Sequence, residues 1–99
     1  MEDISIYDTI KGKRREILAI ASKYGASDIR IFGSVARKSA TEESDIDFLV
    51  TLEPGRTLFD LGGLSYELEE LLGKRVDVAT IRILRKEIRE RIEQDAIPL

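Results

Sequence analysis

Ninety-nine residues can build one hydrophobic core but not two, so residues 1–99 are read as a single domain. Asp and Glu outnumber Lys and Arg by 19 to 16, and the resulting charge of −3 argues against a dedicated polyanion binder. Cysteine and histidine are both absent, which excludes disulfides, thiolate metal sites and imidazole chemistry and leaves carboxylates, hydroxyls, Lys and Arg for any catalysis.

Residues 8–24 carry Ile10, Ile17, Leu18, Ala21 and Tyr24 at near-helical spacing, with Lys11, Lys13, Arg14, Arg15 and Lys23 between them. This predicts an amphipathic helix with a solvated basic face, in preference to a nucleic-acid surface, and Gly25 is placed to stop it. Residues 28–32 (DIRIF) predict a strand that Gly33-Ser34 breaks. Residues 35–38 then predict a helical turn whose free N–H groups suit an anion, with a glycine that lets a phosphate approach the backbone. A polar loop covers 39–44. Residues 45–52 predict a second strand, with Ile46, Phe48 and Val50 on one face and Asp45, Asp47 and Leu49 on the other. After a turn at 53–56, Thr57 and Asp60 form a capping box for a helix carrying Leu61, Leu64, Leu68, Leu71 and Leu72 and ending near Gly73. Residues 75–80 (RVDVAT) predict a third strand. Residues 83–95 predict a last helix, with Leu84, Ile88, Ile92 and Ala96 four apart and Glu87 spaced to pair with Arg91. Residues 97–99 are too short to assign.

The acids carry the functional signal. Asp45 and Asp47, two apart on a strand, point to the same side, where like charges repel and folding alone rewards nothing. A hard divalent cation such as Mg²⁺ rewards oxygen donors in that arrangement. Asp77 stands between valines in a strand, where Asp is depleted. If its strand lies beside 45–50, Asp77 joins the other two on one face; otherwise it is a solvent-facing residue of an edge strand.

Gly33-Ser34, ten residues, then Asp45-Ile46-Asp47 resembles the signature of the DNA polymerase β-like nucleotidyltransferase superfamily. The longer match, IFGSVARKSATEESDIDFLV with VDVAT downstream, is similar to its minimal branch, called MNT or MntA-like. The resemblance implies an α/β fold with a small mixed sheet and helices packed on one face. It implies that Asp45, Asp47 and Asp77 hold two Mg²⁺ ions, that Gly33 and Ser34 hold the triphosphate of ATP, and that Arg37 is a further triphosphate partner. Relatives often carry Gly after that Arg, where this chain has Lys38. If the position needs a positive φ, Lys38 strains the loop or redirects it; alternatively its ammonium gains a phosphate contact.

Larger relatives add domains that hold the acceptor, and a chain this short is expected to find its acceptor on another protein. Minimal nucleotidyltransferases pair with HEPN-type RNase toxins as antitoxins, moving AMP from ATP to a toxin tyrosine, so the resemblance implies a hetero-oligomer with such a partner. Two alternatives stand beside it: an antitoxin that neutralises by binding alone, and a nucleotidyltransferase acting on a small molecule or RNA end. No apolar run approaches the roughly 18 residues of a membrane span, and the MEDISIYD start lacks the flank and core of a signal peptide. A cytoplasmic protein with neither membrane nor direct nucleic-acid contact is expected.

Overall fold

A computed structural model describes residues 5–41 and 43–99. The elements run α1 (Ile6–Gly12), α2 (Arg14–Lys23), β1 (Ala26–Phe32), α3 (Gly33–Ala36), β2 (Ile46–Leu52), α4 (Leu58–Leu72), β3 (Val76–Thr80), a 3₁₀ turn (Ile81–Ile83), α5 (Lys86–Asp95) and β4 (Ile97–Pro98). The sheet has the order β3-β2-β1-β4 and is mixed: β2 and β3 are parallel, while β1 runs antiparallel to both β2 and β4. This is the α/β architecture with a small mixed sheet that the resemblance implies.

Alternation in the strands decides what is buried. Ile29 and Ile31 of β1, Ile46, Phe48 and Val50 of β2, and Val76 of β3 form one face of the core. Ile10, Ile17 and Ala21 from the first two helices and Leu61, Leu64 and Leu68 from α4 cover that face. Phe48 is fully buried at the centre, and truncating such a side chain to Ala costs about 3–5 kcal/mol.

The predicted helix over 8–24 is two helices. Lys13 leaves the helical region at φ −107°, ψ 18°, and its N–H turns to the Ile10 carbonyl at 3.0 Å. The adjacent Gly12 is a poor helix former, costing roughly 1 kcal/mol against Ala. The break lets α1 reach α3 while α2 packs on β1 and α4. Gly25 follows α2 in the left-handed conformation, as its stop position requires. The capping box of α4 forms as read: the Thr57 hydroxyl accepts from the Phe59 N–H at 3.2 Å, and Asp60 accepts from the Thr57 N–H at 2.9 Å.

Two further differences concern the end of the chain. Helix α5 begins at Lys86, after the 3₁₀ turn, and contributes no buried residue; among the described residues the ion pair within the helix is Arg89–Glu93 at 3.8 Å, where spacing favours Glu87–Arg91. Residues 97–99, unassigned from sequence, close the sheet: β4 pairs with β1, and the N–H of the buried Leu99 donates to the Ile29 carbonyl at 3.0 Å.

Candidate active site

Register brings the acids together. In the parallel ladder Asp47 is the partner of Asp77, and paired residues of neighbouring strands project to one side, opposite the buried Ile46, Phe48 and Val76. Asp45 lies just before β2, at the same end of the sheet. The start of β3 is fixed by α4 on its outer edge: Ser65 Oγ donates to the Val76 carbonyl, and the Val76 N–H donates to Glu69 Oε2, both at 2.9 Å. Val76 is therefore anchored immediately before Asp77.

The third element is the turn after β1. Phe32 pairs with Asp47 across the antiparallel ladder, so Gly33 arrives directly against that carboxylate. Gly33 has φ +73°, and a Cβ there would overlap Asp47 Oδ2 and stand 3.1 Å from its Cγ. Any side chain at this position meets both a strained backbone and the acid. Ser34 follows in the first turn of α3, where helical N–H groups lack intrahelical acceptors.

Burial raises the Asp47 pKa from 3.8 to about 6; the charges of Asp77 and Asp45 and a hydrogen bond with Asp77 push the same way, and Arg37 opposes them. A negative charge on Asp47 is therefore disfavoured by its surroundings. Among the described residues no three carboxylates already surround a single point as a metal cage. The donor set nevertheless fits a hard divalent ion: adjacent carboxylates, with Asp47 raised in proton affinity, and no His or Cys in the chain to favour a softer metal.

Arg37 lies on the same side, close enough to act on Asp47, and its Nη1 pairs with Asp95 Oδ2 of α5 at 3.5 Å. The two line a cleft of about 360 Å³ with Phe32, Gly33, Ile88, Arg91 and Ile92. Lys38 has φ +60°, so the position does demand the left-handed conformation. The Lys38 N–H donates to the Val35 carbonyl at 3.1 Å and the Ser39 N–H to the Ser34 carbonyl at 2.9 Å, a Schellman closure that favours Gly at residue 38. Lys38 thus holds the left-handed conformation at a backbone cost.

Asp47, Asp77, Gly33 and Arg37 thus cluster, with Asp45 and Ser34 beside them. Sequence reasoning missed Asp95 and the α5 wall, because nothing in local spacing ties residue 95 to residue 37. A second cleft, about 330 Å³, lies at the other end of β2 and β3 among Leu52, Leu58, Leu61 and Ile81. It holds neither the paired acids nor the glycine turn.

A nucleotidyltransferase-domain family matches residues 14–99. The chain belongs to the nucleotidyltransferase family. A Methanocaldococcus jannaschii protein named as a protein adenylyltransferase is 45% identical over 84 residues, 85% of this chain and 90% of that one. A solved structure described as a minimal nucleotidyltransferase superposes with a TM-score of 0.87 at 42% identity, covering 100% of both chains. A toxin–antitoxin crystal structure with AMP-PNP shares the fold, with a TM-score of 0.74 at 19% identity over 85% of this nucleotidyltransferase and 69% of that chain. In the described residues no helix is long and apolar enough to cross a membrane.

Proposed function

We propose that this nucleotidyltransferase is a cytoplasmic protein adenylyltransferase, transferring AMP from ATP to a tyrosine hydroxyl of a HEPN-type RNase toxin with which it forms a hetero-oligomer. The observation that carries the reading is Asp47, whose charge is disfavoured by burial and by its ladder partner Asp77 and which is set directly against the Gly33 turn. The named activity of the Methanocaldococcus relative supports protein as acceptor and AMP as the group moved. The toxin–antitoxin structure with AMP-PNP supports a toxin partner and an adenine nucleotide.

In this reading Asp45, Asp47 and Asp77 hold two Mg²⁺ ions, which when bound stabilise the attacking and leaving oxygens of an in-line displacement. The acceptor oxygen forms a bond to the α-phosphorus as the bond to the β-phosphate oxygen breaks, and pyrophosphate leaves. Asp77, exposed at the edge strand, takes the tyrosine proton. Backbone N–H groups at Gly33 and Ser34, the Ser34 hydroxyl and the Arg37 guanidinium hold the β- and γ-phosphates and then the departing pyrophosphate. The backbone donors are set by the turn before substrate arrives, so catalysis is positioning and charge neutralisation.

Intact-mass spectrometry of the protein that co-purifies with this chain, before and after Mg²⁺ and ATP, tests the proposal. The partner gains one or more adenylyl masses with the unsubstituted chain and none with Asp45→Asn. A bound partner whose mass never changes refutes transfer and leaves neutralisation by binding. Absence of any partner redirects the search to small-molecule or RNA acceptors.

A further inference from the structure

Arg37 stands between two carboxylates with different places in the fold. Asp47 belongs to the sheet and feels the positive charge of Arg37. Asp95 is the last residue of α5, a helix without a buried residue that meets the rest of the fold along β1 and α3. The Arg37 and Asp95 side chains are 54% and 46% exposed, so neither is immobilised by packing. Their contact uses one Nη and one Oδ at 3.5 Å, and a guanidinium has five N–H donors in a fixed fork. Most of that fork stays available to a second anion. Both residues line the cleft that Gly33 also borders.

We propose that Asp95 is a positioning residue for nucleotidyl transfer: it tethers Arg37 across the mouth of the cleft, so that the remaining N–H groups of the guanidinium meet the incoming triphosphate already oriented. The proposal rests on the reading of Gly33 and Ser34 as the triphosphate site. A free arginine of this exposure has many rotamers to lose on binding, and the tether removes that loss beforehand. Asp95 is itself negative and repels a polyanion. That repulsion acts through solvent at a half-exposed carboxylate and is screened by salt, whereas the ordering acts wholly on Arg37. The tether therefore sets the sign.

Calorimetric titration of the intact chain with inorganic triphosphate in Mg²⁺ tests it. Asp95→Ala weakens binding about two- to fivefold, the range an exposed ion pair supports. Asp95→Asn, which keeps an oxygen acceptor for Arg37, recovers most of the loss. In an Arg37→Gln background Asp95→Ala has no effect, and in transfer assays Asp95→Ala raises KM for the nucleotide with kcat retained. Tighter binding by both Asp95 variants would make Asp95 a competitor and overturn the proposal. Equal weakening in the Arg37→Gln background would overturn it too, because Asp95 would then act through the fold. Binding by the unsubstituted chain that ignores Asp95 refutes the tether alone; no binding at all refutes the triphosphate site and the tether together.

Discussion

Replacing Asp47 by Asn stabilises the metal-free chain while removing its activity, and the two effects have one cause. The folded protein raises the Asp47 pKa from 3.8 to about 6. Two pH units correspond to about 3 kcal/mol for a group fully shielded from water. Asp47 is half-buried, and solvent screening reduces the effect to on the order of 1 kcal/mol. The sign follows from the direction of the shift. Folding favours the protonated carboxyl, so this contribution is complete below about pH 3.8 and is lost as pH rises through about 6. Asn stays neutral throughout and has nothing to lose. In thermal unfolding followed by circular dichroism at about pH 8 with chelator present, Asp47→Asn melts roughly 4–8 °C above the unsubstituted chain. At about pH 4 the gap closes, since Asp47 is then largely protonated. Mg²⁺ narrows the gap at the higher pH by stabilising the chain that retains both carboxylates. A variant less stable than the parent by the same amount at both pH values would refute the argument, since Asp47 would then be a supporting hydrogen-bond partner and not a strained acid.

Three other outcomes follow from the same geometry. Lys38→Gly relieves the left-handed strain at φ +60° and raises unfolding free energy by about 0.5–1 kcal/mol in a urea titration, net of the entropy glycine gains when unfolded. Gly33→Ala drives a methyl into the Asp47 carboxylate and strains φ +73°, so triphosphate binding is lost in calorimetry and stability falls by about 1–3 kcal/mol. Mg²⁺ affinity, titrated without nucleotide, falls by up to about tenfold per pH unit below about pH 6, because the ion must displace the proton held by Asp47.

What sequence alone reveals divides along the range of the interactions involved. The strand faces and the capping box depend on neighbours a few residues away and are legible in residue type and spacing. The left-handed conformation of residue 38 is hidden by its lysine and is raised only by the resemblance to relatives with glycine there. The meeting of Asp47 and Asp77 depends on β3 returning parallel to β2 through α4, a non-local choice that leaves Asp77 equally readable as an edge residue. The break at Lys13 is invisible to periodicity because Ile10 and Ile17, seven apart, keep one face either way; what separates α1 from α2 is the packing of α1 on α3. The β4 pairing and the Arg37–Asp95 contact join residues more than fifty apart. No local pattern encodes either.

The mixed sheet explains why so short a chain can assemble this site. In open parallel sheets ligands settle at the carboxyl ends of the strands, and the cleft beyond β2 and β3 at Leu52, Ile81 and Arg82 is in that place. The acids are at the opposite end. Because β1 runs antiparallel to β2, its carboxyl end and the Gly33 turn lie against the amino ends of β2 and β3, where Asp45, Asp47 and Asp77 begin. One reversal of strand direction thus places an anion-accepting turn beside a cation-demanding cluster without an added domain. The same juxtaposition makes Gly33 and Asp47 interdependent: the carboxylate occupies the volume a side chain at residue 33 would need, and the glycine lets the turn come close enough to present its N–H groups beside that carboxylate. Substituting either residue therefore perturbs both halves of the site, whereas Asp95, reached through Arg37 alone, can be removed with the acids left in place.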